Sequence, residues 1–119
     1  MSRQEGMWGE AFVANYLRDK GWTLLATGYQ CRFGEVDLIA LDGETLCFIE
    51  VKTRSNLRMA LPREYVTSAK QSRIKKTALF YLQQHPKYTD IFCRFDVAEV
   101  YAENGHEQAH VEYWENAFQ

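Results

Sequence analysis

Two runs of alternating hydrophobic and polar residues lie back to back in the middle of the chain. Over 35–41, Val36, Leu38 and Ala40 fall on one face of an extended strand, and Glu35, Asp37, Ile39 and Leu41 on the other. Over 45–53, Cys47, Ile49 and Val51 share a face opposite Leu46, Phe48, Glu50 and Lys52. Beyond Asp37 both faces of the first run are apolar, which predicts a strand covered on both sides with its acids at one end. Asp42-Gly43 between the runs predicts a hairpin. Pairing Leu41 with Leu46 sets Asp37 opposite Glu50; pairing Leu41 with Glu44 makes Glu50 a diagonal neighbour. Both registers put Asp37, Glu50 and Lys52 on one face, and a one-residue slip would separate them.

The flanking patterns supply the covering layers. A helix is expected over 6–20, stopped by Gly21. Val13, Ala14 and Leu17 follow Glu10 at helical spacing, so Glu10 starts the buried stripe, while Trp8, Phe12 and Tyr16 form a second, aromatic one. A short strand is expected over 22–26, with a turn at Thr27-Gly28. A loop leaves the second central strand over 54–61, a candidate flap over substrate. Thr67 or Ser68 caps a helix running to Gln84, with Ile74, Ala78, Tyr81 and Leu82 as its apolar stripe, and His85-Pro86 ends it. A strand over 91–100, a tight turn at Asn104-Gly105 and an edge strand over 109–114 complete the chain. The expected class is α/β: a mixed sheet flanked by two helices, with an extra C-terminal strand.

Charge placement then suggests a chemistry. Two carboxylates about 4 Å apart at an effective dielectric near 20 repel by about 4 kcal/mol. A shared proton, a cation or a bound metal relieves that repulsion. Lys52 is one cation in place. Mg²⁺ or Mn²⁺ is the other natural answer, since hard cations take oxygen ligands and bind through one or two carboxylates plus water and phosphate oxygens. Asp37 and Glu50 are the candidate metal ligands, with the backbone carbonyl of Val51 as a further donor. Lys52 would then orient or deprotonate a water, a set of parts suited to phosphodiester hydrolysis. An ordinary surface hairpin with ion-paired charges is the plainer alternative.

The stretch GEVDLIALDGETLCFIEVKTR resembles the signature of the YraN-like proteins, small bacterial proteins of uncharacterised function. These are similar to archaeal Holliday-junction resolvases in the PD-(D/E)xK nuclease superfamily. The resemblance spans Gly9-Glu10 to about Val97. It implies a restriction-endonuclease-like αβββαβ core, divalent-metal cleavage of DNA and a homodimer. By position, Asp37 and Glu50 match its metal-binding acids, Lys52 its catalytic lysine and Glu10 the acid of its first helix. On the residues alone, Glu10 serves equally as a dipole partner in a first turn. Two departures stand out. Thr27-Gly28-Tyr29-Gln30-Cys31-Arg32 replaces an Asn-containing basic stretch, and Met59-Ala60-Leu61 precedes Pro62 where the family carries an aromatic-Gly pair.

Substrate contacts are expected from Arg54, Lys70 and Arg73. Arg54 either holds a phosphate or pairs with an acid. Lys70 lies four residues before Ile74, so it starts on the inward face, where it can neutralise a phosphate or the acid cluster. Residues 68–84 carry four basic and no acidic side chains, a phosphate-tracking face or simply a solvated one. Composition narrows the picture further. At 119 residues one domain is expected. The net charge of −2 does not by itself point to nucleic acid, so the distribution of basic residues carries more weight. No apolar run is long enough to span a membrane, and no signal core opens the chain. Cys31, Cys47 and Cys93 suit reduced thiols in a cytoplasmic protein. Three function classes result: a nuclease; a nucleic-acid-binding module that keeps the site without useful turnover; and an interaction protein that pairs through its C-terminal edge.

Overall fold

A computed structural model describes residues 3–54, 66–102 and 104–119. The elements are α1 (Arg3–Asp19), β1 (Thr23–Cys31), β2 (Gly34–Asp42), β3 (Thr45–Arg54), α2 (Ser68–Gln84), β4 (Cys93–Tyr101) and β5 (His110–Phe118), with single 3-10 turns at Pro86–Tyr88 and His106–Gln108. The sheet order is β1-β2-β3-β4-β5. β1, β2 and β3 form an antiparallel meander, β4 lies parallel to β3, and β5 returns antiparallel to β4. This is the α/β arrangement expected, an αβββαβ core with one added strand.

Each face of the sheet is covered by one helix. On the α1 face, Val13, Ala14 and Leu17 pack with Leu38, Ala40, Cys47, Ile49, Ala98 and Val100. On the α2 face, Ile74, Ala78 and Tyr81 pack with Ile39, Leu46, Phe48 and Val97. Alternation along β3 and β4 therefore feeds two cores from one sheet, as both-sided burial requires. Trp8, Phe12 and Tyr16 pack against the α1-side core, and Trp8 also stacks on His106 with ring centroids 3.7 Å apart. No helix among the described residues is long and apolar enough to cross a membrane.

The central hairpin takes the first of the two registers: Leu41 pairs with Leu46, and Asp42 with Thr45. Gly43 bears the positive φ of +62° that this two-residue connection needs. Thr67 caps α2, its hydroxyl accepting the Lys70 N–H at 3.2 Å.

Several local expectations need correction. α1 begins at Arg3, before residue 6. β1 runs on through Thr27-Gly28, because an edge strand absorbs a positive-φ glycine and a bulge between Leu24 and Ala26 restores register. The chain reverses instead at Arg32-Phe33, with Cys31 paired to Gly34. Asn104-Gly105 is not a tight hairpin: Tyr101 pairs with His110, and the connection over 102–109 includes a 3-10 turn. β5 extends to Phe118, since a bulge between Phe95 and Val97 carries the pairing past Asn116. Val36 joins the α2-side core with Ile39, away from Leu38, so β2 does not keep strict alternation across Asp37. The candidate flap over 54–61 lies, from residue 55 on, outside the described residues.

Gly9 sets the distance between α1 and the sheet. A Cβ there would collide with the Thr53 hydroxyl oxygen and stand 3.4 Å from Thr53 Cβ. Gly9→Ala is expected to cost about 1–3 kcal/mol by overpacking, lowering the melting temperature by about 5–15 °C. Thr53→Ala should recover most of that loss in the double variant. An unchanged melting temperature for Gly9→Ala would show that α1 is not seated this tightly.

Candidate active site

The site forms where β2 and β3 part. Their pairing ends at Leu38–Ile49, while β2 continues beside β1 to Gly34 and β3 beside β4 to Arg54. At the fork the Val51 N–H loses its partner across the ladder and donates instead to Asp37 Oδ2 at 2.8 Å. A buried orphan N–H costs free energy, so Asp37 is both a strand terminator and an acid held in place.

Asp37, Glu50, Val51, Lys52, Lys70 and Arg73 together line a cavity of about 390 Å³, with Glu35 at its rim. A neighbouring cavity of about 330 Å³ shares Glu50, Val51, Lys52 and Lys70 and adds Arg54. The three side chains expected on one face, Asp37, Glu50 and Lys52, therefore border one cavity. Glu50 is buried, and the Lys70 ammonium bonds its Oε2 at 2.9 Å. Of the two roles open to Lys70, this geometry supplies the second, neutralisation of the acid cluster. Lys52 is exposed at the groove and makes no ion pair among the described residues.

Burial and crowding raise the proton affinity of these acids. Burial first, then the Asp37 charge, pushes Glu50 up to about 7, against the opposing pull of Lys70. Asp37 is also raised, by burial and by Glu35, although the Val51 N–H and Lys70 favour its charged form. Glu10, on α1, is pushed to about 7 by burial and by Asp37, Glu35 and Glu50. Its carboxyl thus feels the cluster from the opposite face of the sheet, although Glu10 does not line either cavity. Burial alone would lower Lys70, but its bond to Glu50 and the nearby Asp37 outweigh that and raise it.

The donor set suits a hard cation: two carboxylates in a partly buried groove, both with raised proton affinity. No three His, Cys, Asp or Glu side chains among the described residues are grouped to hold a metal by themselves. Any ion here would complete its shell with water, backbone and substrate oxygens, as Mg²⁺ commonly does.

Arg54 takes the acid-pairing alternative. Its Nε bonds Glu99 Oε2 at 2.9 Å, and the Trp114 indole N–H donates to Glu99 Oε1 at 2.8 Å. Glu99 is fully buried and was not singled out from the sequence; an acid among the apolar residues of β4 was the available signal. Glu35 was also passed over as a site residue, although it lies two positions before Asp37. Arg94 bonds both Asp96 carboxylate oxygens at 3.0 and 3.1 Å, and Tyr113 donates to the same acid.

A mixed sheet forked around paired acids, with a helix on each face, defines the class. The chain belongs to the uncharacterised protein family UPF0102, whose model matches residues 9–100. It is 39% identical over 105 residues to a UPF0102 protein of Syntrophomonas wolfei, covering 88% of this chain and 90% of that one. A UPF0102 protein of Caldicellulosiruptor bescii is 35% identical over 98% of both chains. One from Syntrophus aciditrophicus is 47% identical over 80% of this chain and 74% of its own. The YraN-like resemblance and these relatives identify the same family.

The raised acids fix the sign of a pH dependence. Between 4.5, the ordinary glutamate value, and about 7, folded Glu10 and Glu50 hold protons that the unfolded chain has released. Their contribution to stability is therefore full below this window and falls as pH rises through it. In EDTA, Glu50→Gln should flatten the decline in melting temperature between pH 5 and 8 relative to wild type. Parallel curves would contradict the protonation assigned to Glu50.

Proposed function

We propose that this protein is a divalent-metal-dependent endonuclease that hydrolyses DNA phosphodiester bonds, with branched DNA as the expected substrate. The observation that supports it most is the fork itself: Asp37 and Glu50 share a groove with exposed Lys52, and a single ammonium, Lys70, is bonded to Glu50. Asp37, Glu50 and the Val51 carbonyl are the residues that would hold Mg²⁺ or Mn²⁺, with Glu10 assisting from α1. When bound, the ion supplies charge stabilisation at the phosphate and lowers the pKa of a water. Lys52 stands at the groove, free to orient that water or accept its proton. Lys70, once released from Glu50, and Arg73 beside it would hold the substrate phosphate. Cutting two strands of a branched substrate would call for a homodimer.

A DNA-binding module without turnover is the second reading. It draws on the same ion pair, since Lys70 already occupies the place opposite Glu50 that a metal would take.

Cleavage of branched, duplex and single-stranded DNA in Mg²⁺ and Mn²⁺ separates the two. The nuclease reading expects product that Asp37→Asn abolishes and Lys52→Ala reduces by about 10²–10⁴-fold, both variants remaining folded. Binding without product in either metal would select the module. Lys70→Met should tighten Mn²⁺ binding by about two- to fivefold by removing a half-exposed competing cation, measured by calorimetry. Weaker Mn²⁺ binding in that variant would place Lys70 outside any competition with the ion.

A further inference from the structure

A second groove lies along α2 from the acids. It is about 210 Å³ and is lined by Arg32, Phe33, Lys76, Leu79, Phe80 and Gln83. It has two walls, the β1–β2 turn and the outer face of α2. Two of its side chains are large, apolar and open to solvent: Phe33 is 36% exposed and Leu79 61%. Phe80 meets Phe33 edge to face at 6.3 Å, and the Arg32 guanidinium lies 4.9 Å from the Phe33 ring centre. Its charged residues are both cations.

Helical spacing joins this groove to the candidate active site. Arg73, Lys76, Phe80 and Gln83 recur at intervals of three and four, and so share one face of α2. Arg73 lines the acid cavity, while Lys76 and Phe80 line the second groove. Between Arg73 and Phe80 the helix rises about 10 Å at 1.5 Å per residue. A stacked strand places one phosphate per roughly 3.4 Å, so that length corresponds to about three nucleotides.

We propose that the Arg32–Phe33–Lys76–Phe80 groove binds an unpaired segment of the DNA substrate, stacking an exposed base on Phe33 while Arg32 and Lys76 hold its phosphates. The inference rests on the nuclease reading for the identity of the strand. Aromatic faces beside cations are what single strands use, because every base offers a π-face and every linkage a negative charge. A fully paired duplex keeps its bases stacked inside and cannot use Phe33. The groove therefore selects substrates with a flap, bulge or branch.

The test uses the full-length chain in EDTA with oligonucleotides carrying 2-aminopurine in a three-nucleotide flap. Wild type should quench that fluorescence and bind the flap more tightly than a blunt duplex. Phe33→Ala should abolish the quenching and weaken flap binding by about tenfold, leaving blunt-duplex binding and metal-induced thermal stabilisation unchanged. Lys76→Gln should lower the slope of log K against log salt by about one. Equal behaviour of Phe33→Ala and wild type on every oligonucleotide overturns the proposal. So does sedimentation showing a dimer that Phe33→Ala dissociates without altering DNA binding, which would assign the groove to a second copy. Phe33-dependent quenching without metal-dependent cleavage would uphold this groove and remove the nuclease reading. Cleavage that ignores both Phe33 and the flap would do the reverse.

Discussion

The bond from the Val51 N–H to Asp37 is the constraint around which the site is built. An antiparallel ladder that ends inside a sheet leaves a backbone donor unpaired, and burial makes that donor costly. Asp37 supplies the acceptor at 2.8 Å. Once its carboxylate is committed there, β2 and β3 can separate and leave room between them. Glu50, next to Val51 on β3, then opens into the groove beside the acid that terminates the ladder. Asn at position 37 keeps a side-chain oxygen for the Val51 N–H while removing the charge, so it distinguishes the structural role of Asp37 from an ionic one.

The two helices then work on the fork from opposite faces. α1 sits close to β3 because Gly9 leaves no side chain against Thr53, and this brings Glu10 within electrostatic reach of Asp37 and Glu50. Thr67 caps α2, and the same first turn that its hydroxyl caps delivers Lys70 to Glu50. The outcome is a group of close carboxylates in a partly buried space. Glu10 and Glu50 are both raised to about 7, chiefly by burial and then by Asp37. Such a cluster favours either protons or a cation, and the two compete for the same oxygens.

Much of this was legible in the chain because it is written in local patterns. Alternation through Leu38–Ala40 and Cys47–Ile49 predicted the central strands, and both admissible registers kept Asp37 and Glu50 together. Thr67 as a cap and His85-Pro86 as a stop also follow from neighbours in sequence. The rest depends on contacts between distant segments. Thr77 looks like a break in an apolar stripe, yet it is buried with its hydroxyl donating to the Arg73 carbonyl, under Gly34. Val36 changes core across the fork, which no period-two pattern can show. Arg54 is pinned by Glu99, itself held by Trp114 from the last strand. Gly28 reads as a turn, but an edge strand carries it through. Glu10 was ambiguous on its own helix and acquires meaning only beside the acids of the sheet.

The central proposal is that Asp37 and Glu50 form one acid site, its proton affinity raised by burial, at which a divalent cation competes with protons. Carboxyl-detected NMR titration of the full-length protein, with and without Mg²⁺, measures this directly. Without Mg²⁺ the Glu50 carboxyl should titrate near 7 and Asp37 above its ordinary value, while saturating Mg²⁺ should move both well below those points. Ordinary carboxylate titrations that ignore Mg²⁺ would contradict the account.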